Sequence, residues 1–262
     1  MDMENDFRRV LLTAAADLGL DLPEERLVLV EAYREILLQW NSKMNLVSLR
    51  SEIDLPVRHV IDSLTVMPFL PGGAARLLDI GSGAGFPAIP LKIFRSDLHV
   101  TLLEASRKKC SFLKEVIRKL GLKDITVMNC RLESLRESSS LHPFDVIVSR
   151  ATFKMKDLVE RALPLLKPGG ILAAMKGPGL EQEIAALDSL KTLQFRVVKD
   201  FSFSLPLLLF HVGGGILLGL GSPSRTPHLV RPLLGPASSS LAPLYTGAGG
   251  TPETQQLILE IS

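Results

Sequence analysis

One stretch constrains this chain more than any other: RLLDIGSGAGFP, residues 76–87. An apolar run ends at Asp79, glycines follow at 81, 83 and 85, and the apolar segment Pro87–Phe94 then reads as a helix. Glycines in such a loop allow a tight turn and let backbone approach a ligand with no Cβ in the way. A strand, a glycine turn and a helix open a βαβ unit, and open α/β sheets bind ligands at the carboxyl ends of their strands. A second candidate strand, His99–Glu104, ends in an acid at the distance from the glycines where a partner for ribose hydroxyls is expected. These features point to a nucleotide-type ligand rather than an empty turn. The spacing is G-x-G-x-G followed by the bulky Phe86, not the G-x-G-x-x-G of a dinucleotide site, which disfavours a dehydrogenase.

The rest of the chain extends that pattern. Further short β-branched or apolar runs, Ile125–Met128, Phe144–Ser149, Ile171–Lys176 and Phe195–Phe203, read as strands. They alternate with helix-like segments at Ser106–Leu120, Lys156–Leu166 and Glu181–Leu190. Strands and helices in alternation imply right-handed crossovers and a parallel sheet covered on both faces, an α/β fold. Residues 1–70 differ. Phe7, Val10, Leu11, Ala14 and Leu18, then Leu27, Val30, Tyr33, Leu37 and Trp40, recur at helical spacing and predict a helical extension. Trp40 is expected as a core anchor there, and Asp21 with Glu24 reads as a capping box at the second helix. Past residue 206 the pattern breaks. Residues 207–262 carry only Arg225, Arg231, Glu253 and Glu260 as charges, with nine glycines and six prolines. That segment reads as a flexible tail, although its leucine content is high for a solvated linker.

Composition narrows the class. The chain has 262 residues, 46% of them hydrophobic and 22% charged, enough for a sizeable core. No uncharged 18-residue run precedes residue 200, and the start, MDMENDFRR, has no apolar signal region, so neither a membrane nor a secretory protein is expected. Cys110 and Cys130 form no CxxC pair and sit near no histidine cluster, which argues against a disulfide framework or structural zinc and for a cytoplasmic protein. A net charge of +2 is too small to establish nucleic-acid binding and does not exclude it.

The glycine loop with Asp79 ahead of it resembles the S-adenosylmethionine-dependent methyltransferase superfamily. Seven segments in order narrow the resemblance: LLQWNSKMNLVSLRS (37–51), LPVRHVIDSL (55–64), LLDIGSGAGFPAIPLKI (77–93), LLEASRKKCSFL (102–113), RLES (131–134), FDVIVSRA (144–151) and MKGP (175–178). Together they resemble the bacterial methyltransferases that modify guanine N7 in 16S ribosomal RNA, also called glucose-inhibited division protein B. The resemblance spans residues 5–206. It implies a Rossmann-like sheet with helices on both faces and a cofactor-binding methyltransferase domain over 71–206, preceded by the helical extension over 1–70. It also implies S-adenosylmethionine held by Gly81, Gly83 and Phe86, with Leu132 and Glu133 flanking the adenine and Arg150 as a further contact. Glu104 is added here on physical grounds, as the ribose partner. Phe86 is open to a second reading as a plug of the sheet–helix junction, and Glu133 to one as a solvated acid.

Guanine N7 carries a lone pair and no proton at neutral pH, so its attack on a sulfonium methyl needs no general base. Proximity and alignment can supply the rate enhancement, and neither a catalytic triad nor a metal is expected. A monomer acting on 16S RNA or the small ribosomal subunit would need phosphate contacts. The candidates are Arg58 and His59 in LPVRHVIDSL, Arg107, Lys108 and Lys109 after the second strand, and Lys176 ending the fifth. A solvated first helical turn is an equal reading of the RKK run, as is a structural histidine for His59. In this superfamily a last strand inserts antiparallel to its neighbours, and after FSFSLPL it is not recognisable; GILLGL or QQLILEI are the substitutes on offer. Without that strand a sheet edge is exposed, which leaves a non-catalytic RNA- or cofactor-binding remnant as the alternative to an active enzyme. A small-molecule methyltransferase is a third reading, disfavoured by the amino-terminal helices.

Overall fold

The computed structural model of the chain describes residues 3–49, 54–135, 143–150, 153–176, 180–185, 187, 195–204, 210–212, 215–217 and 253–261. Five strands run parallel: β1 (Arg76–Ile80), β2 (His99–Leu103), β3 (Ile125–Met128), β4 (Phe144–Arg150) and β5 (Leu166–Lys176). They are joined by β6 (Phe195–Ser204) and β9 (Glu253–Ile261) in the order β3-β2-β1-β4-β5-β9-β6. A separate antiparallel pair, β7 (Phe210–Val212) with β8 (Gly215–Leu217), precedes β9. The chain order reverses between β1 and β4, and that switch point opens a crevice at the carboxyl ends of the strands.

Alternate residues of each central strand enter opposite cores, as a two-sided sheet requires. Leu77, Val146, Val148, Ala173 and Met175 join one apolar cluster; Leu78, Ile80, Ile147, Leu172 and Ala174 join the other. The first cluster also takes residues of α1 (Met3–Asp17), α2 (Glu24–Met44), α4 (Ala88–Phe94) and α5 (Arg107–Leu120). The second is covered by α6 (Leu132–Leu135) and α7 (Met155–Ala162). The amino-terminal helices thus share a core with the sheet, and Trp40 packs edge-on against Phe112 of α5 at 5.8 Å.

Several expectations need correction. The sheet has its last strand: β9 lies antiparallel between β5 and β6, with Ala173 opposite Ile258 and Val197 opposite Leu259. QQLILEI fills the slot, and GILLGL contributes only to the β7–β8 pair. The capping box is absent: Pro23 occupies the N-cap of α2 without a side-chain bond, and Glu24 pairs with Arg8 of α1 instead. β5 begins at Leu166 rather than Ile171: Leu166 already pairs with Phe144, and the register shift before Ile171 meets Val146 is taken up within the strand, where Gly169 has φ +74°. The fourth sequence-predicted helix is α8 (Leu180–Ala185), and residues 188–190 lie outside the described residues. Most of the 207–252 segment lies outside them as well.

Candidate active site

The glycine loop is shaped by backbone bonds to β2. The Gly81 and Ser82 N–H groups donate to the Leu103 carbonyl, at 2.9 and 3.1 Å. Gly81, Gly83 and Gly85 have φ of 76°, 56° and 91°, the left-handed region where only glycine is unstrained. At Gly85 the need is steric too: a Cβ there would lie 2.5 Å from Ile89 Cγ1 and 3.1 Å from the Tyr33 hydroxyl. At Gly83 nothing but the Gly81 carbonyl, at 3.7 Å, would meet one, so this part of the loop is open.

Beside the loop lies a cleft of about 540 Å³. Gly81, Glu104, Lys109, Leu132, Glu133 and Arg150 all line it, as do Arg131 and Phe153, which the sequence did not single out. Gly83 and Phe86 do not line it. Glu104, buried at 8% exposure, accepts the Gly83 N–H on one oxygen (2.9 Å) and the Ser106 N–H on the other (2.8 Å). Its carboxylate therefore fastens the glycine loop to the start of α5. Each oxygen keeps a second acceptor site, so a ribose role is compatible with this one. Leu132 is buried, while Glu133 is half-exposed and takes the Arg161 guanidinium at 2.5 Å.

Arg150 ends β4 at the cleft and is held there by residues of the 54–64 segment. It donates to His59 Nδ1 at 2.8 Å and the Arg58 carbonyl at 3.2 Å, and lies 3.4 Å from the Asp62 carboxylate. Its guanidinium sits 5.1 Å over the Phe86 ring, on which His59 also stacks at 5.0 Å. Phe86 thus plugs the junction under Arg150. A π-helical segment, Asp54–Ile61, continues into α3 (Asp62–Leu64) and delivers Arg58, His59 and Asp62 together; its wide turn is not visible as a periodicity in LPVRHVIDSL.

Two of the phosphate candidates need revision. Arginine can only donate, so His59 Nδ1 accepts and the ring is neutral. Burial, and then the Arg150 charge, pull its pKa down to about 3. His59 consequently orients Arg150 and supplies no positive charge. Lys176 is only 9% exposed; its ammonium donates to the Phe153 carbonyl and to Glu183 at 2.8 Å, which consumes it inside the fold. Arg58, paired with Asp54 at 3.1 Å, keeps an exposed side, and Arg107 and Lys108 are exposed on α5.

Asp79 lies fully buried under the loop, and neither carboxylate oxygen meets hydrogen-bonding geometry with a partner. Burial pushes its pKa up to about 8, against smaller opposing pulls from Ser82 and Arg150. Between about pH 4 and 8 the folded chain holds a proton on Asp79 that the unfolded chain has lost. Stability from this group therefore falls as pH rises, by up to ~1.4 kcal/mol per pH unit, and levels off above 8. Asp79→Asn removes the effect, so its melting temperature relative to wild type should climb from pH 4 to 8; a difference that shrinks over this range contradicts the assignment. His59 acts oppositely. The unfolded chain gains a proton there as pH drops below 6.5, so stability from His59 is lost from 6.5 toward 3.

Among the described residues no helix is long and apolar enough to cross a membrane, and no three His, Cys, Asp or Glu side chains gather as metal ligands. Comparison with known proteins gives a consistent picture. Residues 26–205 match the family described as rRNA small subunit methyltransferase G. Proteins named ribosomal RNA small subunit methyltransferase G are similar to this chain. The one from Acetivibrio thermocellus is 34% identical over 78% of this chain and 85% of its own length. That from Geotalea uraniireducens is 40% identical over 78% and 93%, and that from Syntrophus aciditrophicus 42% over 67% and 74%. Two solved structures share the fold, each with a TM-score of 0.50. One, titled precorrin 8W decarboxylase from Methanobacterium thermoautotrophicum, is 16% identical and covers 76% of this chain and 88% of that one. The other, a domain named for precorrin-6Y C5,15-methyltransferase from Corynebacterium diphtheriae, is 18% identical and covers 77% and 96%.

Proposed function

The chain belongs to the rRNA small subunit methyltransferase G family, and from that premise we propose that it transfers a methyl group from S-adenosylmethionine to N7 of a guanine in 16S ribosomal RNA. The observation that carries the reading is the cleft itself, where the glycine loop, Glu104 and Arg150 meet at the switch point of the sheet. The residues fit the cofactor. The loop presents an open backbone at Gly83, and beneath it Asp79 holds a latent negative charge that a sulfonium and an ammonium group would favour. Gly81, Glu104, Leu132, Glu133 and Arg150 would hold it, with Gly83 and Phe86 acting through the loop and through Arg150. When bound, it supplies a methyl group already activated for displacement.

The chain's own part in the reaction is alignment. Guanine N7 has no proton to lose, so no residue needs to act as a base. Arg150, fixed by His59, Asp62 and Phe86, presents an oriented guanidinium at the edge where the base must approach. Arg58, Arg107, Lys108 and Lys109 are the proposed phosphate contacts, giving salt-sensitive affinity without sequence readout. The remnant alternative presupposed a missing last strand, and β9 removes that premise. We read the chain as a cytoplasmic monomer with a helical extension over 1–70 and a cofactor domain over 71–206, and leave 207–262 without a functional role beyond β9.

Labelled methyl transfer tests the proposal. Small-subunit particles lacking the modification should accept label from S-adenosylmethionine, and free nucleosides should not. Gly81→Asp places a side chain and a charge at a left-handed position in the cleft, and should weaken cofactor binding about 100-fold, or ~3 kcal/mol. Label entering nucleosides as readily as particles would sink the RNA assignment.

A further inference from the structure

We infer that Tyr33, on helix α2 of the amino-terminal extension, is a positioning residue of the cofactor loop, its hydroxyl clamping the Ala84 carbonyl between Gly83 and Gly85. This deepens the functional proposal and rests on it.

The loop is anchored on its β2 side by the Leu103 carbonyl and by Glu104, which together hold residues 81 to 83. On the other side, across 51 residues of sequence, the Tyr33 hydroxyl donates to the Ala84 carbonyl. Tyr33 is 1% exposed, and the other buried side chains of α2, Leu27, Val30, Ile36 and Leu37, are all aliphatic. A phenol in such a row brings a polar group that costs free energy unless it is bonded. The bond it makes is to the left-handed glycine loop, whose first residue, Gly81, lines the cleft. Burial raises the phenol pKa well above its ordinary value, so the hydroxyl keeps its proton and remains a donor.

The same side chain reaches the second half of the site. Its ring tilts against Phe86 at 5.4 Å, and Phe86 carries both His59 and Arg150 on its ring. The absence of a Cβ at Gly85 makes room for the Tyr33 hydroxyl at 3.1 Å. The extension therefore takes part in the cofactor site through the loop, without lining the cleft.

Tyr33→Phe removes one oxygen and keeps the ring. The Ala84 carbonyl, in a residue 5% exposed, loses its donor, and the 84–85 peptide loses its outer restraint. The dissociation constant for S-adenosylmethionine alone, measured by calorimetry, should rise about tenfold, the effect of one bond lost to a buried carbonyl. The cofactor KM should rise in parallel, with kcat at saturation unchanged within about twofold. Leu27→Ala serves as the comparison, since it loosens the packing of α2 without touching the loop: it should lower the melting temperature and leave the dissociation constant at the wild-type value. Tyr33→Met, which fills the space without a hydroxyl, is expected to reproduce the affinity loss if the Phe variant folds poorly. Wild-type affinity in folded Tyr33→Phe, or an equal affinity loss in Leu27→Ala, overturns the role of Tyr33 alone. Absence of binding by the folded wild-type chain overturns the cofactor assignment, and the Tyr33 role with it.

Discussion

A chain ending at Pro252 should show no cooperative thermal transition by circular dichroism and no cofactor binding. β9 is the only described strand bonded to either β6 or the outer edge of β5, and it pairs with both over most of its length. Removing it opens two edges at once and leaves the ladder groups of both β5 and β6 without their partner strand. The expected loss exceeds about 5 kcal/mol, comparable to the whole stability of many domains. β5 also flanks β4, whose end carries Arg150, so the damage reaches the cleft. A synthetic peptide of residues 253–261 added to the truncated chain should restore part of the transition. A truncated chain melting within a few degrees of the full one contradicts this placement of the strand.

Arg150→Ala should cost both folding and transfer, and the two losses can be separated. Asp62 is buried at 4% exposure, and its carboxylate lies 3.4 Å from the Arg150 guanidinium. Removing one partner of such a pair typically costs about 3–5 kcal/mol because the other charge is left behind. Asp62→Asn in the Arg150→Ala background removes the buried carboxylate that the guanidinium faced and should recover much of the melting temperature. Transfer should stay down by at least about 100-fold, since the guanidinium at the cleft is still missing. Recovery of both stability and transfer in the double variant would make Arg150 a structural residue only.

Much of this was legible in the sequence, and the failures have physical reasons. β1 and β3 fall where the apolar runs put them: RLLDI is central and buried at four of its five positions, and ITVM, at the sheet edge, is anchored by Ile125. The glycine loop and Glu104 were found by spacing, since a turn requiring left-handed backbone restricts residue choice. That Glu104 holds the loop through Gly83 was hidden, because the donors that reach it are backbone groups. Lys176 and Arg150 look alike in sequence, each a cation ending a β-strand; Glu183 of α8 makes the difference and lies seven residues from Lys176, in a segment whose helical pattern does not say that this carboxylate turns back to the strand. The segment QQLILEI is ambiguous in sequence for a similar reason. Its pattern suits a buried strand, but only the open slot between β5 and β6 selects it, and no turn chemistry announces it. Asp21 and Glu24 matched the capping pattern, yet Pro23 took the cap and Arg8 took Glu24.

Everything proposed for the cleft converges on one atom, guanine N7. Small-subunit RNA labelled by the wild-type chain can be treated with borohydride, which reduces the cationic imidazolium of N7-methylguanine so that the base is lost, and then with aniline, which cuts the backbone at the abasic site left behind. One strong stop at a single guanine, absent when S-adenosylmethionine is omitted, is the predicted result. Label in the RNA with no aniline-sensitive guanine would place the methyl on another atom and contradict the account.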